Sequence, residues 1–265
     1  MDRVTITIDG ELLKFVDAMV VNGKAKSRSH AIDVLLKAAA SQNTVRTAII
    51  LAAGKKERLW SEKHNAIKPL VEIDGRTVIE HIVKKFTESG VKRVIVVVGY
   101  GGEQIVAKLK DGKEFGLTIE YIFDEASSGS AGALSLCKSK VNEPFILSYS
   151  DVLYPDLDLI DLLKFHKENP SSLCTLALVN VKTPNVFGVA KLTGSKIVSF
   201  TEKPRSDTQS NLVNAGVAIC EPDVFHYVSK IPSSFEKELL PVIAEKEKLF
   251  GYIYSGKWMD VELAQ

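Results

Sequence analysis

The sequence predicts an α/β protein in two parts: a strand–helix–helix module over residues 1–43, then a larger domain over residues 44–265 with a mostly parallel sheet. Three observations predict it. From Thr47 onward, short β-branched runs alternate with amphipathic stretches of helical period, the pattern of strands joined through covering helices. The run Ala48-Ile49-Ile50-Leu51 is short, continuous and closed by Gly54, as a strand buried on both faces is. Before it, Ser41-Gln42-Asn43-Thr44 forms a polar link too short to let the two parts move freely.

In the first part, Val4, Ile6 and Ile8 alternate with Arg3, Thr5 and Thr7, the period of a strand with one buried face. Leu12, Leu13, Phe15, Val16, Met19 and Val20 then repeat at helical spacing, and Asn22-Gly23 ends that helix. The basic loop Lys24-Ala25-Lys26-Ser27-Arg28 leads to Ser29, read as the N-cap of a second helix with the stripe Ala31, Ile32, Leu35, Leu36 and Ala39. Elements this short bury too little surface to fold alone, so the module needs a partner. Its order of strand, helix, Ser-Arg-Ser loop and helix resembles the ribbon–helix–helix DNA-binding family over the module's whole length. The resemblance implies a homodimer or higher oligomer. Arg3, Thr5 and Thr7 would face base edges of double-stranded DNA, and Ser27, Arg28 and Ser29 would hold a backbone phosphate. Six Lys and Arg against five Asp and Glu over residues 1–43 make a thin electrostatic footprint, so dimerisation without DNA stays open.

Composition bounds the rest. The 265 residues are 45% apolar and 25% charged with net charge +1, which gives no global case for a polyanion partner. Cys137, Cys174 and Cys220 lack metal-ligand spacing and read as buried free thiols of a reducing, cytoplasmic setting. No apolar stretch is long enough for a membrane span, so no membrane partner is expected. His64, His81, His166 and His226 show no paired spacing.

In the second part, Val78, Ile79, Ile82, Val83 and Phe86 line one face of a helix that stops at Ser89-Gly90. Val94 to Val98 is a strand ending in Gly99-Tyr100-Gly101-Gly102; a helix from Glu103 to Lys110 and a strand Leu117–Ile122 follow. Gly129-Ser130-Ala131-Gly132 opens another helix, and Phe145, Ile146 and Leu147 form a strand ended by Tyr149-Ser150-Asp151. Ligands of such Rossmann-like sheets sit beyond the carboxyl ends of the strands, which places Gly54, Gly99, Asp124 and Asp151 along one rim. A small-residue turn after a buried strand lets backbone N–H groups approach a phosphate, although a plain βα turn has the same pattern.

Leu51, Ala52, Gly54, Arg58 and Leu59, followed by Lys68-Pro69-Leu70, match without a gap the signature L-A-G-G-x-G-T-R-L … P-K-P-L. Gly129-Ser130-Ala131-Gly132-Ala133-Leu134 approaches G-T-A-G-A-L, Phe200-Thr201-Glu202-Lys203-Pro204 matches F-x-E-K-P, Asn214-Ala215-Gly216 matches N-x-G, and Trp258-Met259-Asp260-Val261 begins W-x-D-V-G-T. In these motifs residues 47–261 resemble the sugar-1-phosphate nucleotidyltransferases. Ala53 stands for a glycine, Lys56-Glu57 for Gly-Thr, Ile67 for a proline and Glu262-Leu263 for Gly-Thr.

The resemblance implies that a sugar 1-phosphate oxygen attacks the α-phosphorus of a nucleoside triphosphate and releases pyrophosphate. It assigns Arg58 to the β/γ-phosphates and Lys68 to the α-phosphate and the attacking phosphate. Leu51, Ala52, Ala53, Gly54, Asp124, Gly129 and Ser130 would hold the nucleotide, Glu202, Lys203 and Asn214 the sugar, and Asp151 and Asp260 a Mg²⁺ ion. Asp124, an acceptor only, favours the N1–H and N2–H₂ donors of guanine and hence GTP. The rival reading is a non-catalytic transcriptional regulator that senses a nucleotide or sugar nucleotide.

Overall fold

The structure is a computed structural model that describes residues 5–42, 44–205 and 208–263. The chain divides into two compact units, Met1–Thr44 and Val45–Gln265.

The first unit is a helix pair, α1 (Gly10–Val21) and α2 (Arg28–Gln42). Asp9 caps α1 through its carboxylate, which accepts from Glu11 N at 2.8 Å. The chain leaves α1 at Asn22 and turns at Gly23, whose φ of 68° suits glycine. Ser27, not Ser29, caps α2: its hydroxyl accepts from His30 N at 3.2 Å, three residues into the helix. Val16, Ala25 and Ala31 form a small core with Met19, Val20, Ile32 and Leu35 packed on it.

In the isolated chain, the described residues of this unit bear on the other expectations for it. Residues 5–9 form no strand, because a strand needs a neighbour to complete its ladder and the described residues of the unit contain none. Ile6, expected on a buried face, is 52% exposed, and Leu12, Phe15 and Leu36 also face outward. Arg28 pairs with Asp17 through Nε at 2.6 Å and Nη2 at 2.8 Å while its side chain stays exposed, and this pairing lowers the Asp17 pKa. Thr5, Thr7, Ser27 and Ser29 are exposed, while Arg3 and Val4 lie outside the described residues.

The second unit is organised on a nine-stranded sheet. Its strands are β1 (Thr47–Ala52), β2 (Arg93–Val98), β3 (Thr118–Phe123) and β4 (Phe145–Tyr149), then, after the short β5 (Val152–Leu153), β6 (Cys174–Asn180), β7 (Gly188–Thr193), β8 (Lys196–Glu202), β9 (Leu212–Cys220) and β10 (Leu249–Ile253). The order is β6-β10-β8-β7-β9-β4-β1-β2-β3. β5 stands apart and pairs with β11 (Met259–Asp260).

The expected mostly parallel sheet is a mixed one. β4, β1, β2 and β3 run parallel, but β9 is antiparallel to β4, β6 and β7, and β8 is antiparallel to β7 and β10. Parallel neighbours need a long crossover, whereas β7 and β8 are joined by Gly194-Ser195, with Gly194 at φ 58°.

Alternation along β1 divides the core. Ala48, Ile50 and Ala52 pack on one face with Ile79, Ile82 and Phe86 of α3 (Val78–Glu88) and Ile105 and Leu109 of α4 (Gly102–Leu109). Ile49 and Leu51 pack on the other with Ala131 and Leu134 of α5 (Gly129–Ser135). All three cysteines are free and buried.

At the edge of the parallel half, Glu120 on β3 accepts from Arg93 Nε at 2.7 Å and Lys140 Nζ at 2.8 Å, and these two cations hold its pKa down to about 2. A carboxylate depressed below its unfolded value of 4.5 stabilises the fold above that pH and loses its contribution as pH falls toward 2. Glu120→Gln is therefore expected to melt below the wild type at pH 7. Thermal melts at stepped pH should show the two curves converging near pH 2; a gap that does not depend on pH would contradict the ion-pair account.

Candidate active site

The carboxyl ends of β1, β3 and β4 border a cleft of about 560 Å³. One wall is the turn after β1. Gly54 has φ 140°, and Tyr100 N donates to its carbonyl at 3.0 Å. Gly99 makes this approach possible, since a Cβ there would lie 2.5 Å from Gly54 N. The turn leads into one helical turn, Lys56–Leu59, and Ala53, Gly54, Lys55, Glu57 and Arg58 line the cleft. Lys56 sits instead with its ammonium 5.6 Å from the centre of the Trp60 ring, a cation–π arrangement.

Gly129 and Ser130, at the start of α5, line the cleft further along. Asp124 lies beside them, yet its carboxylate is turned into its own loop, accepting from Ser128 N at 2.9 and 3.1 Å and Ser128 Oγ at 2.8 Å. It braces the entry to α5 from the position where guanine recognition was expected.

The floor carries two carboxylates. Asp151 lies two residues past the end of β4, and pairing of β5 with β11 sets Asp260 opposite Val152. Val261 N donates to Asp151 O at 3.0 Å, and Asp260 Oδ1 accepts from Glu262 N at 2.9 Å and Leu263 N at 3.3 Å. Burial, then the Asp260 charge, push the Asp151 pKa up to about 6, while Lys68 opposes them. Lys68 does not line the cleft itself; its ammonium lies 3.7 Å from Glu262 Oε2.

The third wall comes from the antiparallel half. Glu202 ends β8, and Gly188 leaves room for it, because a Cβ there would lie 2.8 Å from Glu202 Oε2. Burial and then Glu236 raise the Glu202 pKa against Lys203, Lys237 and Arg58. Lys203 holds a left-handed backbone at φ 47°, a strained state that clusters at functional sites. Asn214 Oδ1 accepts from Gly216 N at 3.0 Å, and Trp258 Nε1 donates to Ala215 O at 2.9 Å.

Thus Leu51, Ala53, Gly54, Arg58, Asp124, Gly129, Ser130, Asp151, Glu202, Lys203, Asn214 and Asp260 share one cleft. Ala52 is fully buried in β1, with no exposed side chain to offer a ligand. Sequence reasoning missed Tyr149, Ser234 and Glu236, which also line the cleft. Ser233-Ser234 before a charged helical stretch marks a helix start, but no spacing rule ties that helix to a strand end so distant in the chain.

Residues 47–262 match the nucleotidyl transferase family. The curated relatives include a mannose-1-phosphate guanyltransferase of Yarrowia lipolytica, 34% identical over 219 residues, which cover 80% of this chain and 60% of that protein. The chain thus spans about three fifths of the length of such relatives. Among solved structures, a UDP-glucose pyrophosphorylase complexed with UDP-glucose has a TM-score of 0.69 at 20% identity, over 83% of this chain and 94% of that one. HddC from Yersinia pseudotuberculosis, complexed with GMP-PN, has 0.68 at 21%, over 83% and 95%. Likeness at that identity carries the fold.

The Asp151 pair predicts a stability effect that needs no substrate. A carboxylate whose folded pKa of about 6 exceeds its ordinary 3.8 opposes folding once ionised. That cost is absent below pH 3.8 and complete above pH 6. In chelator-treated protein at pH 7, Asp151→Asn should therefore be more stable than the wild type by roughly 1–3 kcal/mol. The gain should disappear by about pH 4 in denaturant melts; a destabilised variant at pH 7 would contradict the electrostatic reading.

Proposed function

The chain belongs to the nucleotidyl transferase family, and on that premise we propose that it joins a nucleoside triphosphate to a sugar 1-phosphate with release of pyrophosphate. The observation that carries the proposal is the meeting, in one cleft, of a glycine turn with Arg58, the carboxylates Asp151 and Asp260, and the polar group Glu202, Lys203 and Asn214. GTP and mannose 1-phosphate are the first substrates to test, because relatives at 31–34% identity carry those names.

In this reading the turn after β1 approaches the triphosphate through backbone N–H groups, and Arg58 holds the β- and γ-phosphates. Lys68, beside the cleft and held between Glu262 and the charge of Asp151, would reach in to the α-phosphate and the attacking phosphate oxygen. Glu202, Lys203 and Asn214 orient the sugar so that its phosphate oxygen lies in line with the α-phosphorus. The pair Asp151 and Asp260 suits Mg²⁺: oxygen donors only, and one carboxylate kept hard to ionise by the other and by burial. Such an ion, when bound, draws charge from the phosphates and orients them.

Glu57, where the signature has threonine, lines the cleft beside the expected triphosphate. Like charge there weakens binding. Glu57→Thr should raise kcat/KM for the triphosphate about three- to tenfold, a gain of about 1 kcal/mol. Pyrophosphate release from the full chain with GTP, Mg²⁺ and mannose 1-phosphate tests the function, and no release with any pairing of triphosphate and sugar phosphate would favour the sensor reading.

A second reading concerns residues 1–43. Leu12, Phe15 and Leu36 stand exposed beside a core of small residues, the surface expected of a unit that pairs with its copy. In that dimer the segment around Thr5 and Thr7 would gain a strand partner and present a ribbon to duplex DNA. A chain starting at Thr44 should then run as a monomer where the full chain runs as a dimer; a shortened chain that keeps the full chain's oligomeric state would place the dimer elsewhere.

A further inference from the structure

The cleft holds a carboxylate that the proposed reaction leaves without a role. Glu236 lies in a single π-helical turn, Phe235–Leu239, a form of backbone found frequently at functional sites. Its Oε2 accepts from Ser130 Oγ at 2.7 Å and from Ser234 Oγ at 2.7 Å, and its Oε1 accepts from the Tyr149 hydroxyl. Ser130 Oγ in turn accepts from Phe235 N at 2.8 Å.

These bonds join two walls. On one side, the start of α5 is fastened to the turn: Ala131 N donates to Ser233 O at 3.0 Å and Ser233 N to Ser128 O at 2.9 Å. A Cβ at Gly129 would lie 2.4 Å from Ser233 O, so the approach has no slack. On the other side, Tyr149 ends β4 two residues before Asp151, and a Cβ at Gly216 would lie 3.1 Å from its ring. The Tyr149 hydroxyl donates to Glu236, which ties this wall to the same carboxylate.

We propose that Glu236 is a positioning residue that couples the nucleoside side of the cleft to the sugar side, a role that rests on the nucleotidyl-transfer reading. One carboxylate accepts from the helix start that borders the nucleoside and from the tyrosine that borders the sugar wall and the metal carboxylates. Occupancy of one side then fixes the geometry offered to the other, which is a coupling free energy between two ligands. A glutamine cannot replace it, because the amide has one oxygen and a donor where the three hydroxyls need two acceptors.

The test uses the full chain and the fluorescence of Trp258, which lines the cleft. A non-hydrolysable GTP analogue is titrated with and without mannose 1-phosphate, for the wild type, Glu236→Gln and Tyr149→Phe. In the wild type, mannose 1-phosphate should tighten analogue binding at least fivefold. In both variants each ligand alone should bind within threefold of the wild type, the tightening should vanish, and kcat should fall at least tenfold. Tyr149→Phe removes only a hydroxyl, so it reports even if Glu236→Gln fails to fold. Folded variants that keep the tightening overturn the proposal. Wild-type binding without pyrophosphate release overturns the transfer reading alone, and absence of nucleotide binding to the wild type overturns both.

Discussion

Parallel pairing of Thr47–Ala52 with both of its neighbours is the constraint on which the rest of the second unit depends. The register sets Ala52 beside Val98 and Leu51 beside Tyr149, so three strands end at one edge. Each end then delivers a different chemistry: a glycine turn with Arg58 from β1, the supporting Gly99 from β2, and Asp151 from β4. A slip of one residue in β1 would exchange its two faces and move the turn off the rim. The packing of both faces, with Ile50 on one and Ile49 on the other, opposes any such slip.

Charge gives the cleft its polarity. Cations lie on the turn and on Lys203, carboxylates on the floor and the far wall, and the site residues that depart from the family signature are absorbed into this arrangement. Lys56 rests on Trp60, and Glu262 lies 3.7 Å from the Lys68 ammonium. Of these replacements only Glu57 faces the cleft with a charge that opposes a phosphate. Burial and then the charge of Asp260 make ionised Asp151 costly, so the floor is a place where a cation or a proton would lower the energy.

What the sequence revealed follows the range of its signals. Strands β1 and β2 and helix α3 were legible because apolar period is local, and the turn after β1 because Gly54 and Arg58 lie within one short stretch. Asp151 and Asp260 were legible only through ordered motifs, since nothing local brings Met259–Asp260 onto Val152–Leu153. The antiparallel half was misread because hairpin partners differ from parallel ones only in connection length, and Gly194 is a weak mark. Arg28 and Asp124 were assigned to ligands through family resemblance, and the local partners that hold each, Asp17 and Ser128, could not be read from those motifs. Glu236 went unread because its partners, Tyr149 and Ser130, are distant in the chain and its own stretch has no motif.

The central claim is that one cleft holds triphosphate, metal and sugar phosphate together. Crystals of the full chain grown with Mn²⁺ and a non-hydrolysable GTP analogue test it most directly, because manganese scatters anomalously and binds where Mg²⁺ would. The account predicts an anomalous peak shared by Asp151 and Asp260, with the phosphates against Gly54 and Arg58. A triphosphate bound elsewhere, or manganese ligated by neither carboxylate, would contradict it.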